Sequence, residues 1–324
     1  MAPSISIFIV NYNTRALLQQ CLKSVFENRG DLVVEVFVAD NNSTDGSADM
    51  VEETFPGVYL KRHSVNMGFT KAVNPLLGLG QGEFYLILHP DLEVLPHTFR
   101  QFVDFFGRHP KIGILGGNLY YPDGTPNPCE ILFPGFWNDL LCFAMRLFKR
   151  LPGGRKLFGN SAPSTWSHER TCRVNWVWNA CMMVRRTVFD KIGYFDEDFF
   201  VWYADWDFCK RTWDAGWCVC YLGPATAVHH ERQSYGRQII ASEQVWYKVD
   251  GWYSAPWMIR DRHVFLKKYV GPASIYGVKG ISILENTLRL GLILGGLLSR
   301  RDNLSEASFH LRACFETLHA ILKA

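Results

Sequence analysis

From Ser4 to Leu119 the chain alternates between short apolar, β-branched runs and segments of helical spacing, and this alternation constrains the fold more than any other feature. Ser4 to Val10 and Leu32 to Ala39 are strand-like runs rich in Ile and Val. Between them, Arg15 to Asn28 places Leu17, Leu18, Cys21, Leu22, Val25 and Phe26 on one helical face. Parallel strands need a long crossover, usually a helix, so this order predicts a parallel α/β sheet. The rhythm continues with a helix to about Thr54 after the capping residues Ser43, Thr44 and Asp45, a strand at Val58 to Arg62 and a helix at Phe69 to Leu79. Strands at Phe84 to Leu88 and Ile112 to Leu119 flank a helix at Pro96 to Arg108, and a Pro-Asp-Gly turn at residues 122 to 124 closes the series.

The pattern then breaks. Asn127 to Cys172 is rich in Pro, Gly and aromatic residues without a period, and reads as an irregular insertion. Order returns at Val174 to Val184, followed by the Phe195-Asp196-Glu197-Asp198 turn, a helix at Ala204 to Ala215 ended by Gly216, and a strand at Trp217 to Leu222. Beyond it the chain is helical: Ile281, Leu284, Leu288 and Leu292, then Leu304, Ser308, Leu311, Phe315, Leu318 and Leu322, recur at three- and four-residue steps. The expected organisation is a catalytic domain over residues 1–235, with 127–172 as an acceptor-side insertion, and a helical region over 236–324.

Composition narrows the class. With 48% apolar and 20% charged residues the chain can bury a large core, and 34 Lys+Arg against 31 Asp+Glu leaves +3, so no nucleic-acid partner is expected. The apolar run Leu290 to Ser299, bounded by Arg289 and Arg300, falls short of the roughly 20 residues of a membrane span. The opening MAPSISIFIVNYN has no basic n-region, so a cytoplasmic protein is expected. Nine cysteines without a C-x-x-C pair, several in apolar stretches (Cys142, Cys181, Cys209), read as reduced core residues. Cys218 and Cys220 share one side of a strand-like run.

In an open parallel sheet, ligands bind beyond the carboxyl ends of the strands. Here those ends read Val10-Asn11-Tyr12-Asn13, Asp40-Asn41-Asn42-Ser43-Thr44-Asp45-Gly46-Ser47 and His89-Pro90-Asp91. Asp40 can accept the imide N–H of a pyrimidine base, with Asn11 or Asn13 on the ring or ribose; equally, Asp40 can open a turn or cap the next helix. Asp91 can present a carboxylate to a hard divalent cation, and His89 beside it favours Mn2+ over Mg2+. Asp205 and Asp207 open a helix behind an aromatic run. Asp205 suits a general base if it faces the crevice while Asp207 points away, and both also suit plain first-turn acids. His229 can add an imidazole to the cation or diphosphate site, with a surface histidine as the plain alternative.

Taken together and in order, these residues resemble the inverting family 2 glycosyltransferases of GT-A fold, in particular a rhamnosyltransferase-like branch. The resemblance spans about residues 4 to 235 and rests on Ile9 to Asn13, Asp40 to Ser47, Asn66-Met67-Gly68-Phe69, Pro90-Asp91, Phe195 to Phe200, Asp205-x-Asp207, and His229 with Ser234. It implies a Rossmann-like, mostly parallel central sheet with helices on both faces and a carboxyl-terminal helical appendage. The ligands implied are a nucleoside-diphosphate sugar donor, dTDP-rhamnose before UDP-hexose, a divalent cation (Mn2+ or Mg2+), and a glycan or lipid-linked hydroxyl acceptor in cell-surface polysaccharide synthesis. Asn11, Asn13, Asp40, Asn66 and Gly68 then line the nucleotide pocket; Asp91 and His229, with His89, hold the cation; Asp205 deprotonates the acceptor. His230 is the alternative to His229, and Lys71 meets a phosphate or is a solvated helix lysine.

Two positions depart from the family pattern: His89 replaces an acid or amide, and Ala204 replaces the acid before the base. Loss of that neighbouring charge is expected to lower the pKa of Asp205 relative to the family. Trp178, Asn179 and Trp202, with the insertion, are the expected acceptor side. Lys267, Lys268, Arg289, Arg300 and Arg301 flank apolar helical faces, suiting an anionic membrane surface or a homodimer. The competing class is a nucleotide-sugar-binding scaffold without catalysis. A dinucleotide oxidoreductase is disfavoured, because the first strand-to-helix turn reads Asn-Tyr-Asn-Thr and lacks G-x-G-x-x-G.

Overall fold

A computed structural model describes residues 4–127, 170–230, 248–249, 252–253 and 256–298, with single positions around 140 and 320. The chain divides into two compact units, Met1–Leu132 with Thr165–Gln238, and Phe133–Ser164 with Ile239–Ala324.

In the first unit the amino-terminal alternation folds as its pattern dictates. Strand β1 (Ser4–Asn11), helix α1 (Arg15–Asn28), β2 (Val33–Asp40), α2 (Ser47–Thr54), β3 (Tyr59–Arg62), α3 (Thr70–Leu77) and β4 (Phe84–Leu88) follow in order. These four strands are parallel, in spatial order β3-β2-β1-β4. Of the predicted face of α1, Leu18, Cys21, Leu22 and Val25 are fully buried and join Ile5, Ile7, Ile9 and Leu86 in the core, while Leu17 and Phe26 are half-buried. Every residue of β4 is buried, as expected for a strand covered on both faces. Helices cover both sides of the sheet.

Beyond β4 the sheet turns mixed. Short β5 (Leu92–Val94), which has no distinct sequence signal, precedes α4 (Thr98–Arg108) and β6 (Ile112–Tyr120). After β7 (Cys172–Arg173) come β8 (Cys181–Arg185), α5 (Arg186–Ile192), α6 (Ala204–Asp214) and β9 (Cys218–His229). The full order among the described residues is β3-β2-β1-β4-β8-β6-β9-β5, with β7 on β9. Strand β8 is antiparallel to both β4 and β6, β5 is antiparallel to β9, and β6 and β9 are parallel. The parallel alternation ends here, since β8 runs against both of its neighbours. Its amino end therefore lies at the carboxyl end of β4, where a parallel neighbour would end.

The free cysteines Cys21, Cys181, Cys209, Cys218 and Cys220 are buried, as their apolar surroundings suggest; Cys142 lies outside the described residues. Burial pushes the Cys181 thiol up to about 12 and raises Cys21 further, so both stay protonated.

In the second unit, β10 (Lys248–Val249) pairs with β11 (Trp252–Tyr253), and α7 (Pro256–Tyr269) packs on α8 (Pro272–Leu298) through Leu266, Ile275 and Val278. The first predicted helical series falls in α8. Of the second, Phe315, Leu318 and Leu322 are helical, while Leu304, Ser308 and Leu311 lie outside the described residues, as do Arg300, Arg301, Ser234 and most of the insertion. No helix among the described residues is long and apolar enough to cross a membrane.

Candidate active site

Strand register brings the polar residues together. β1 and β2 pair in parallel with Asn11 opposite Asp40 at their carboxyl ends. Asn11, fully buried, donates from Nδ2 to Asp40 Oδ1 at 2.9 Å and to Ser43 Oγ at 3.1 Å. The other carboxylate oxygen of Asp40 accepts the Ser43 N–H at 2.9 Å, so Asp40 does shape the turn after β2. Each of its oxygens keeps a lone pair for a further donor. Asn13 binds the same turn from the other side, its N–H donating to Ser43 Oγ at 2.9 Å and its Oδ1 accepting the Thr44 N–H at 2.7 Å. Asn11, Asn13 and Asp40 thus form one hydrogen-bonded floor whose hub is Ser43, which the sequence offered only as a helix cap.

Asn66 and Gly68 build a neighbouring wall. Asn66 Oδ1 accepts the Gly68 N–H at 3.0 Å, and Asn41 Nδ2 donates to Gly68 O at 2.8 Å, tying the wall to the floor. Gly68 has φ +78, and a Cβ there would lie 2.4 Å from the Phe200 carbonyl oxygen, so the position demands glycine on two grounds. The adjacent Phe69 N–H donates to that oxygen at 2.6 Å, and Asn74 grips Phe195 through both its amide atoms. The loop leading to Asp205 is thereby clasped to α3. Lys71 stands solvent-exposed on α3.

His89, Asp91 and His229 converge, with one ligand atom from each lying within 4.8 Å of the others. The reason is again register: β5 pairs antiparallel with β9, Leu92 opposite His229, and the His230 N–H donates to Asp91 O at 2.9 Å. His229 Nε2 lies 3.4 Å from Asp91 Oδ1, and both residues are buried. His230 turns instead toward Glu93, at 3.5 Å. Enclosure lowers the pKa of His89, the nearby His229 adds to this, and Asp91 opposes it. Two imidazoles and one carboxylate, with Asp91 and His229 buried and His89 half-buried, are a donor set that fits a divalent cation, and its nitrogen content suits Mn2+ better than Mg2+.

The base candidate lies beside this cluster. Antiparallel pairing of Leu88 with Cys181 sets His89 next to the start of β8: its N–H donates to Ala180 O at 2.8 Å, and its Nε2 lies 3.1 Å from Asn179 Oδ1. The Asn179 N–H in turn points at Asp205 Oδ2, at 3.4 Å. Asp205 sits in the first turn of α6, and its Oδ1 accepts the Trp206 N–H at 2.9 Å. Asp207 points away, fully buried and paired to Arg211 at 2.7 Å. Burial raises the pKa of Asp205 to about 7, over the opposing pull of the N–H groups of Asn179 and Trp206. Desolvation thus brings the carboxylate's titration near neutral pH.

The chain enters α6 through Tyr203 at φ +63, a left-handed conformation that a bulky side chain rarely adopts. Packing holds it, since the Tyr203 ring lies edge-on to Trp206, which contacts Trp176 at a centroid distance of 4.4 Å. Trp178 is half-buried against the core, Trp202 is half-buried, and Asn179 is buried between His89 and Asp205. One residue near the cluster had no functional signal: Asn127, whose side chain meets His229 at 2.6 Å. Only the preceding Pro-Asp-Gly turn hinted that the chain doubles back there.

An open α/β sheet thus carries at its strand ends a hydrogen-bonded polar floor, a His/Asp/His cluster and an adjacent carboxylate of raised pKa. Residues 6–155 match the family described as Glycosyl transferase family 2. The chain is 27% identical over 282 residues to N-acetylglucosaminyl-diphospho-decaprenol L-rhamnosyltransferase of Mycobacterium tuberculosis, covering 80% of this chain and 90% of that protein. Among solved structures it is similar to GalNAc-T7 with UDP, GalNAc and Mn2+ (TM-score 0.58, 14% identity, 99% of this chain and 56% of that one). It is also similar to Staphylococcus aureus TarS 1-349 in complex with UDP-GlcNAc (TM-score 0.51, 18% identity, 98% and 81%). These structural likenesses establish the fold. The family match over residues 6–155 and the glycosyltransferase relatives mark the chain as a glycosyltransferase, a hexosyltransferase by class.

Proposed function

We propose that the enzyme moves a sugar, with inversion, from a nucleoside diphosphate to a hydroxyl of a glycan or lipid-linked acceptor in cell-surface polysaccharide synthesis. The donor we favour is dTDP-rhamnose, with a UDP-hexose next. The observation that carries this reading is the meeting of His89 and Asp205 at Asn179, which sets a proton acceptor beside a cation cluster. The name of the mycobacterial relative, a rhamnosyltransferase for a diphospho-decaprenol acceptor, supports the choice of donor and of a lipid-linked acceptor.

In this reading Asp205 takes the acceptor proton as the acceptor oxygen bonds to the anomeric carbon, while the bond from that carbon to the diphosphate breaks on the opposite face. A cation held by His89, Asp91 and His229, Mn2+ before Mg2+, supplies Lewis-acid stabilisation to the departing charge. Asn11 and Asp40 orient the base and ribose with Asn13, Asn66 and Gly68 completing the pocket, and Lys71 reaches the phosphates. Trp178, Asn179 and Trp202 face the acceptor, and Trp rings suit the apolar face of a sugar.

The catalytic domain of this reading is residues 1–235. The region 236–324 rests on an anionic membrane surface, supported by the exposed Tyr276, Leu284, Leu288 and Leu294 of α8 and the Lys267-Lys268 end of α7. Flotation with anionic liposomes tests that contact; a dimer that stays with the unbound protein would replace it.

The deciding experiment is thermal stabilisation by a panel of nucleotide sugars with Mn2+, since a bound donor stabilises as RT ln(1 + [L]/Kd). Transfer to a polyprenyl-diphosphate sugar and the anomeric configuration of the product then follow by NMR. Stabilisation by no nucleotide sugar, or a retained configuration, would overturn the proposal.

A further inference from the structure

The Pro-Asp-Gly turn does more than end β6. Tyr121 N–H donates to Thr125 O at 2.8 Å, Gly124 takes φ +78, and the returning Asn127 N–H donates to Leu119 O at 2.9 Å. Leu119 is paired with Ala227 of β9, two residues before His229. The turn therefore delivers Asn127, 2% exposed, to the face of the His229 ring away from Asp91: its amide lies 2.6 Å from Nδ1, while Nε2 faces Asp91.

An amide offers a ring nitrogen either of two partners, exchanged by a half-turn of the side chain. With Nδ2 against the ring, Asn127 donates to Nδ1, the ring proton sits on Nε2 toward Asp91, and the amide Oδ1 is left buried without a hydrogen-bond partner. With Oδ1 against the ring, that orphaned acceptor takes the Nδ1–H proton, and Nε2 keeps its lone pair toward Asp91 and His89. Only the second arrangement lets His229 serve as a cation ligand, and a histidine ligand is strengthened when its other N–H is bonded to an oxygen.

We propose that Asn127 is a positioning residue for the cation site: its Oδ1 accepts the Nδ1–H of His229, fixing the tautomer and ring orientation that expose Nε2 to the ion. This rests on the reading of His89, Asp91 and His229 as the cation site. An amide at 127 serves His229 with or without its ion. A carboxylate there serves only the ligating tautomer, and an aliphatic side chain serves neither.

Mn2+ affinity, measured by EPR on the full chain with and without dTDP, separates these cases without any turnover. Asn127→Leu is expected to weaken Mn2+ binding by about 10- to 100-fold, and Asn127→Asp to bind at least as tightly as the unaltered protein. Nitrogen-15 NMR of the His229 ring in the Mg2+-loaded protein is expected to show the proton on Nδ1. Asn127→Leu binding within twofold of the unaltered protein, Asn127→Asp as weak as Asn127→Leu, or a proton found on Nε2 in the loaded protein would each overturn the proposal. If Asn127→Leu does not fold, Asn127→Asp and the NMR measurement still decide it. Failure of the unaltered protein to bind Mn2+ would instead remove the cation site itself, and this inference with it.

Discussion

Asn179 stands between His89 and Asp205, its side-chain Oδ1 3.1 Å from the imidazole Nε2 and its backbone N–H 3.4 Å from the carboxylate. With the amide oxygen toward the ring, the contact puts the His89 proton on Nε2 and leaves Nδ1 its lone pair. One residue thus contacts two groups to which the proposed mechanism gives different roles, and by different atoms.

That division is testable. Asn179→Ala removes the contact to His89 and keeps the N–H that faces Asp205. It is expected to weaken Mn2+ binding about tenfold while the pH profile of kcat/KM keeps its midpoint, as read by EPR titration and initial rates.

Asp205→Asn cannot accept the acceptor's proton. We expect kcat to fall by about 10²- to 10⁴-fold, with donor affinity unchanged in a thermal-shift titration. Wild-type turnover would remove Asp205 from the role.

The same substitution should stabilise the fold at alkaline pH. Burial raises the folded-state pKa of Asp205 from 3.8 to about 7. The stability this protonated form contributes is complete below about pH 4 and is lost as pH rises through about 7. A shift of roughly three units bounds the alkaline penalty at about 4 kcal/mol. Asp205→Asn should therefore raise Tm over wild type at pH 8 and not at pH 4, by differential scanning calorimetry at both values.

The pKa also sets the rate profile. Because the base acts ionised, kcat/KM is expected to be flat above pH 7 and to drop toward tenfold per unit below it. A profile already flat at pH 5 would show that the carboxylate is not the titrating group.

Gly68→Ala meets both a left-handed backbone and the Phe200 carbonyl. We expect a loss of about 1–3 kcal/mol of stability, seen as a lower Tm, together with a raised donor KM as the clasp on the Asp205 loop loosens.

Much of this was legible in the chain itself. The faces of α1, β1 and β2 follow from hydrophobic period alone, because a buried strand and an amphipathic helix must repeat at fixed steps. The turns at Asp40 to Ser47 and at residues 122 to 124 follow from side chains that bond their own backbone. Strand β5 was not legible: three residues carry no period, and only pairing with the end of β9 makes Leu92–Val94 a strand. The reversed direction of β8 was likewise hidden, since an apolar run reads the same both ways.

By itself, then, the sequence determined the strands and helices of the amino-terminal alternation, where its polar strand ends fall, and which family they resemble, since all of these depend on neighbours along the chain. The tertiary structure decided what depends on neighbours in space. It chose His229 over His230 for the place beside Asp91 through the β5–β9 register, brought Asn127 to the far side of that ring, and raised the pKa of Asp205. The physical reason is common to all three: register and burial are sums over contacts between residues tens or hundreds of positions apart.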